Sequence, residues 1–228
     1  MMNKDEVIST FNIIAQSDAI HRYSRDRVLT PETVLQHTGW VALWVLLAGE
    51  DMESVAKIKL DWGTLMRRAV IHDLDEVGTG DVPRPTKYSS PAVADGLTDY
   101  GAKFLGWIET ELGLSNGKIK GEWHSAKDYS PEGQLLKAAD MAAVVYKVWD
   151  EILRQNNFAF SRVAYELKPL LLAICAGYEK RSVDLESYER WLWRFYHSAW
   201  QLIERALAVV ETRKWVLGSI DIPMEGEE

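Results

Sequence analysis

With 228 residues, 47% of them hydrophobic, the chain is long enough for one sizeable core, and no linker-like stretch divides it, so a single domain over 1–228 is expected. The net charge of −8, from 26 basic and 34 acidic residues, argues against a polynucleotide partner, because basic groups can act only locally. One cysteine, Cys175 in an apolar run, excludes an intramolecular disulfide, and without a signal peptide or an eighteen-residue apolar stretch the expectation is a cytoplasmic protein with no membrane partner.

In chain order, Val7, Ile8, Phe11, Ile14 and Ala15 recur at helical spacing over 5–20, which predicts a packing helix. The next stretch, His21-Arg22-Tyr23-Ser24-Arg25-Asp26-Arg27, is polar, basic and aromatic, more than a simple connector needs, although Arg25 and Arg27 read equally well as a solvated loop. Thr30-Pro31-Glu32 has the chemistry of a helix start, with Thr30 as N-cap and Pro at the first helical position. The helix it opens carries Val34, Leu35, Val41, Leu43, Trp44, Val45 and Leu47 and is expected to end near Gly49; His37 lies on or beside its apolar stripe. Asp61 caps a helix expected from Trp62 to Val77, stopped by Gly78-Thr79-Gly80, after which Pro83 and Pro85 stiffen the backbone. A long helix is expected over 91–113, another from Pro131 to about Arg154, and two more near 159–180 and 184–216. The last holds Trp191, Trp193, Phe195, Tyr196, Trp200 and Trp215 on more than one face, which suggests core plus a homo-oligomer interface, most simply a dimer. The tail from Ile222 is short and acidic, and no strand-period segment, repeat or phosphate-cradling glycine loop is present. The fold class is therefore all-α.

The chemistry concentrates between His72 and Lys87, H-D-L-D-E-V-G-T-G-D-V-P-R-P-T-K. Leu65, Met66, Ala69, Val70 and Ile71 precede it with helical spacing, so His72 and Asp73 stand at the inner end of a core helix. A buried carboxylate is costly unless it is paired or coordinates a cation. A His-Asp pair alone is common, but His37 and Asp140, the latter in L-L-K-A-A-D-M-A-A-V-V, add a second imidazole and a second carboxylate on other helices. Such a mixed set suits a divalent first-row metal better than calcium. His21, His124 and His197 have no such company and read as structural residues, as does Cys175.

The order H…HD…D resembles the HD-domain metal-dependent phosphohydrolases, and H-D-x-x-E-x-x-T-G-D-x-P-x-P-x-K resembles more narrowly the YfbR-type 5'-deoxynucleotidases; phage DatZ-type deoxynucleoside triphosphohydrolases share much of it. The resemblance covers about Arg22 to Trp149. It implies an HD-domain helical bundle with a core of about 22–154 and a C-terminal extension of about 159–216. His37, His72, Asp73 and Asp140 would hold a divalent ion, Co, Mn, Zn or Mg. Glu76 would orient or deprotonate water, Asp81 would protonate the leaving oxygen, and Arg22 would neutralise the phosphate. Arg22, Tyr23, Asp81, Val82, Pro83, Arg84 and Lys87 would contact a deoxynucleotide. Tyr23 stands where the YfbR pattern has a Trp that crowds the sugar 2' position, which implies weaker exclusion of a 2'-hydroxyl. Glu122-Trp123-His124 matches the family's acidic-His stretch only with a three-residue offset. The implied activity is release of phosphate from a deoxynucleoside monophosphate, in the cytoplasm or in the host cytoplasm if the chain is phage-encoded. Release of tripolyphosphate from a triphosphate such as dATP is the alternative, with Arg25, Arg27, Arg84 and Lys87 supplying further cations. A helical interaction protein with a degenerate site is the reading from another class, and it is disfavoured because no expected ligand is missing.

Overall fold

The computed structural model describes residues 3–24, 26–114, 117–181 and 183–218, with 157–162 and 214–218 described as backbone only; Arg25, the Trp215 side chain and the acidic tail lie outside this. Among the described residues there are ten helical segments and no named strand. They are α1 (Lys4–Ala19), α2 (Val34–Ala56), α3 (Trp62–Ile71), α4 (Glu76–Thr79), α5 (Arg84–Lys87), α6 (Pro91–Glu111), α7 (Lys118–His124), α8 (Pro131–Leu153), α9 (Asn157–Glu179) and α10 (Ser187–Gly218).

Two apolar clusters organise them. The larger joins α2, α3, α8, α9 and α10 through residues such as Val41, Met52, Leu65, Leu135, Val148, Leu171, Leu192 and Ile203, all essentially inaccessible to water. The smaller is Ile13 of α1 with Leu105 and Ile108 of α6, covered by Leu74, Phe104 and Trp123. One of the crossings between them is short: Ala69 belongs to the first cluster and Leu74 to the second. His72 and Asp73 lie within that crossing.

The helix expected over 62–77 accordingly stops at Ile71 and resumes as the single turn α4. At the break, His72 Nδ1 lies 2.8 Å from the carbonyl of Ala69, so a side chain occupies the carbonyl side of the turn while the backbone redirects Leu74 into the second cluster. The start of α2 also differs from expectation. Thr33, not Thr30, is the N-cap, in a capping box with Gln36. Thr30 instead gives its N–H to Glu151 and its carbonyl to Lys147. The segment between α1 and α2 is then fixed by a short bridge, with Arg22 N–H to Glu32 O at 2.8 Å and Val34 N–H to Ile20 O at 2.9 Å. Gly49 does not end α2, which runs on to a left-handed cap at Lys57. A Cβ at Gly49 would come within 2.5 Å of the Trp62 ring, so this glycine serves helix contact.

Two further expectations change with burial. The stripe Val7, Ile8, Phe11 and Ile14 on α1 faces outward, and only Ile13 and Ser17 of that helix are buried. The aromatics of α10, conversely, are mostly spent inside the chain: Trp191 and Tyr196 are buried, and Trp193, Phe195 and Trp200 pack against the larger core. The short helices α5 and α7 have too few residues for a periodic signal in sequence.

Candidate metal and phosphate site

Three helices deliver the metal-type residues to one point. His37 comes from the first turns of α2, His72 and Asp73 from the break after α3, and Asp140 from the middle of α8. One ligand atom from each lies within 4.8 Å of all the others. His37 Nε2 is 3.1 Å from Asp140 Oδ1 and 3.5 Å from Asp73 Oδ2, and His72 Nε2 is 3.2 Å from Asp73 Oδ2. Both imidazoles are buried, with ring centroids 5.6 Å apart.

Whether this set fits a divalent ion can be tested on His72. Because the Ala69 carbonyl can only accept, His72 Nδ1 carries the ring proton, which leaves a lone pair on Nε2. That Nε2 is buried and has no hydrogen-bond partner, although it faces the cluster. A buried acceptor left without a donor is unfavourable unless something else takes the lone pair. Two imidazole nitrogens and two carboxylates at these distances fit one divalent first-row ion, and His37 Nδ1 backs onto Glu32 at 3.5 Å as an outer partner.

Around the donors stands a ring of buried and half-buried charge. Arg22 Nη1 bonds Asp73 Oδ2 at 3.0 Å and lies 3.6 Å from Glu76 Oε2, while its Nε is 3.6 Å from Glu32. Lys127 Nζ is 2.6 Å from Asp140 Oδ2. Burial opposes ionisation of Asp140, but the Lys127 ammonium and His37 outweigh it and hold the carboxyl far below its usual range. Asp73 is likewise opposed by burial and held well down by the neighbouring positive charges of Lys127 and Arg22. Glu76 goes the other way: burial first, then the Asp73 charge, lift its carboxyl well above the usual range against the pull of Arg22. Two neighbouring acids thus have opposite proton affinities.

The loop residues divide. Asp81 reaches the site, where its Oδ2 accepts the Tyr23 N–H at 3.0 Å. Tyr23 has φ 59°, a left-handed backbone uncommon for an aromatic residue, and this carboxylate supports it. Lys87 and Val82 line a small cavity beside Glu76, together with Thr79, Gly80, Leu97 and Trp123. Pro83 caps α5; Arg84 is exposed and lies over the Tyr88 ring at 4.9 Å. Arg27 is exposed, and Arg25 lies outside the described residues. His21 and His124 are exposed and His197 stacks on Trp193, all away from the four donors. Lys127 and Glu32 escaped the reading of sequence. Lys127 sits in the short K-D-Y-S connection, where no periodicity marks a residue as inward-facing, and Glu32 looked like a first-turn acid of α2.

Comparison with known proteins points in one direction. The family model described as 5'-deoxynucleotidase YfbR-like matches residues 9–184. A 5'-deoxynucleotidase of Vibrio parahaemolyticus is 27% identical over 162 residues, 67% of this chain and 79% of that protein. One of Photobacterium profundum is 30% identical over 89 residues, 37% of this chain, and the match spans less than half of that relative, 44%. Among solved structures, an HD-domain phosphohydrolase from Listeria innocua superposes with TM-score 0.62 at 17% identity, over 91% of this chain and 99% of that one. The cyanophage S-2L HD phosphohydrolase DatZ, bound to dA and one catalytic Zn2+ ion, gives 0.52 at 18% identity, over 82% and 95%. These likenesses fix the fold as the HD-domain helical bundle.

Proposed function

Because the chain belongs to the YfbR-like 5'-deoxynucleotidase family, whose model spans 9–184, we propose that it is a metal-dependent phosphohydrolase that releases phosphate from deoxynucleoside 5'-monophosphates. The observation that carries this is the meeting of His37, His72, Asp73 and Asp140 within 4.8 Å, with Arg22 and Glu76 on the Asp73 edge. His37, His72, Asp73 and Asp140 would hold a divalent ion, which would supply Lewis acidity toward a phosphoryl oxygen and toward water. The chain's own groups do the rest. Arg22 exchanges its contacts to Asp73 and Glu76 for the non-bridging phosphate oxygens. Glu76, beside Arg22 on the Asp73 edge of the cluster, takes the proton of the attacking water as the P–O5' bond breaks. Asp81 protonates the departing 5' oxygen through the oxygen that Tyr23 does not use. Tyr23 borders the sugar and favours deoxyribose, with the loop from Val82 to Lys87 closing over the nucleoside; Pro83 and Arg84 belong to that loop.

Hydrolysis of a triphosphate is the second reading, favoured by Lys127 at the cluster and Lys87 in the adjoining cavity and by the fold shared with DatZ. One domain over 1–228 and a cytoplasmic homo-oligomer complete the proposal. The sharing of a single apolar cluster by α9 and α10 with α2 and α8 supports the first of these. No described helix is long and apolar enough to cross a membrane.

Incubation with all four deoxynucleoside mono- and triphosphates and Mn, Co, Zn or Mg, followed by chromatography, tests the reading. Free phosphate from monophosphates is expected, at about one metal per chain, with His72→Ala and Asp140→Ala losing the metal and Glu76→Ala losing turnover while keeping substrate binding. Tripolyphosphate as product selects the second reading. No turnover of any of the eight overturns both.

A further inference from the structure

Glu76 is carried by α4, a four-residue turn. So short a piece has no helical length to fix its own rotation, and the residue that follows it, Gly80, has φ 72°, a backbone that imposes no continuation. Nor is Glu76 wedged by packing on all sides, because it borders the small cavity lined also by Asp75, Thr79, Lys87 and Trp123. The direction of Glu76 must come from what holds the turn.

Besides the packing of α1 and the pairing of Glu76 with Arg22, three contacts do so, all on the side of α6 and α7. Asp75, the residue just before Glu76, is buried, and its Oδ1 accepts the indole N–H of Trp123 at 2.9 Å. Gly101 of α6 makes room for this pair: a Cβ there would stand 3.0 Å from Asp75 Cβ and 3.3 Å from the Trp123 ring. Gly78 lies against Phe104, whose ring a Cβ would meet at 2.7 Å. Successive helical residues are about 100° apart around the axis, so a turn with Asp75 held toward α6 and α7 presents Glu76 toward Arg22 and Asp73. The Thr79 hydroxyl and N–H return to the Asp75 carbonyl, which makes the turn and its anchor one piece.

We infer that Asp75 and Trp123 are positioning residues for the reaction proposed above, their carboxylate–indole bond setting the rotation of α4 and with it the aim of Glu76. Neither touches the metal cluster. The inference rests on Glu76 handling the proton of the attacking water, so wild-type turnover of dAMP with Mn2+ is measured first; its absence speaks against the functional reading and not against the anchor.

The test is a cycle of Trp123→Phe, Glu76→Gln and the double variant, each loaded with Mn2+. Trp123→Phe keeps the ring and removes the donor. The expected result is a fall in kcat of roughly tenfold to a hundredfold with KM within about threefold and metal stoichiometry unchanged, because a misdirected group loses rate rather than binding. In the Glu76→Gln background the same change has no further effect. A kcat within about threefold of wild type, or an equal loss in both backgrounds, overturns the inference. If Trp123→Phe loses helicity, Asp75→Asn and Asp75→Ala replace it: Asn keeps an oxygen for the indole and loses less kcat than Ala, and equal losses overturn the anchor.

Discussion

Asp140 is recognisable in the sequence as a candidate ligand because a carboxylate among Leu135, Leu136, Val144 and Val145 has little solvent to turn to; what it turns to is not. In the fold its two oxygens are shared, Oδ1 toward His37 and Oδ2 toward Lys127 at 2.6 Å, which aims the first at the ion position. Partners that orient a ligand in this way influence affinity nearly as much as some ligands do. Lys127→Ala is expected to weaken metal binding on the order of tenfold to a hundredfold, read by titrating the metal-free protein with Mn2+. Affinity equal to wild type would show that Lys127 does not orient Asp140 for the ion. Asp81 teaches the complementary lesson. Its place on the glycine-rich turn was legible, but its bond to the Tyr23 backbone joins segments 58 residues apart that no local pattern links.

At the scale of elements, the connection between α1 and α2 carries Arg22 and Tyr23 and is held by a buried strap. The Glu151 carboxylate of α8, fully inaccessible, accepts N–H groups from Leu29 at 2.9 Å and Thr30 at 3.0 Å, and donors from Lys147 and Asn156 at 2.8 and 2.6 Å. Burial alone would raise this carboxyl, yet those donors bring it down from an ordinary 4.5 to about 2. A depressed acid stabilises the fold above its unfolded value. The contribution, about 3 kcal/mol by the usual conversion, is therefore full above pH 4.5 and lost as the pH falls toward 2. Urea unfolding of wild type and Glu151→Gln should show a stability gap at pH 7 that narrows below pH 4.5. A gap that stays constant down to pH 2 would place the stabilisation elsewhere. The strap also explains the misplaced helix start, because Thr30, spent on Glu151 and Lys147, is not available as a cap.

For the whole molecule, the sequence suggested oligomerisation through the aromatic last helix, whereas α10 uses most of its described rings within its own chain. Apolar surface is exposed instead on α1 and α2: Phe11 at 68% and Leu47 at 60%, with Ile8, Ile14, Trp40 and Leu43 also outward. Surface of this kind favours self-association, against the mutual repulsion of chains of net charge −8. A dimer or higher oligomer is expected by light scattering at micromolar concentration, and Leu47→Glu should shift it toward monomer while leaving helicity intact. A wild-type monomer, or no response to Leu47→Glu, counts against this surface.

The sequence by itself determined the all-α class, the long helices α6 and α8 nearly to the residue, and the identities of the residues that meet at the cluster, since apolar periodicity and the high cost of a buried charge are local properties of the chain. It did not determine where the helix through His72 breaks, which aromatic face is buried, or that Lys127, Glu32 and Trp123 stand near the site. Those depend on how helices distant in sequence pack: Leu74 leaves the line of α3 because a second apolar cluster lies to that side, and Trp123 reaches Asp75 because Gly101 of a third helix leaves room between them.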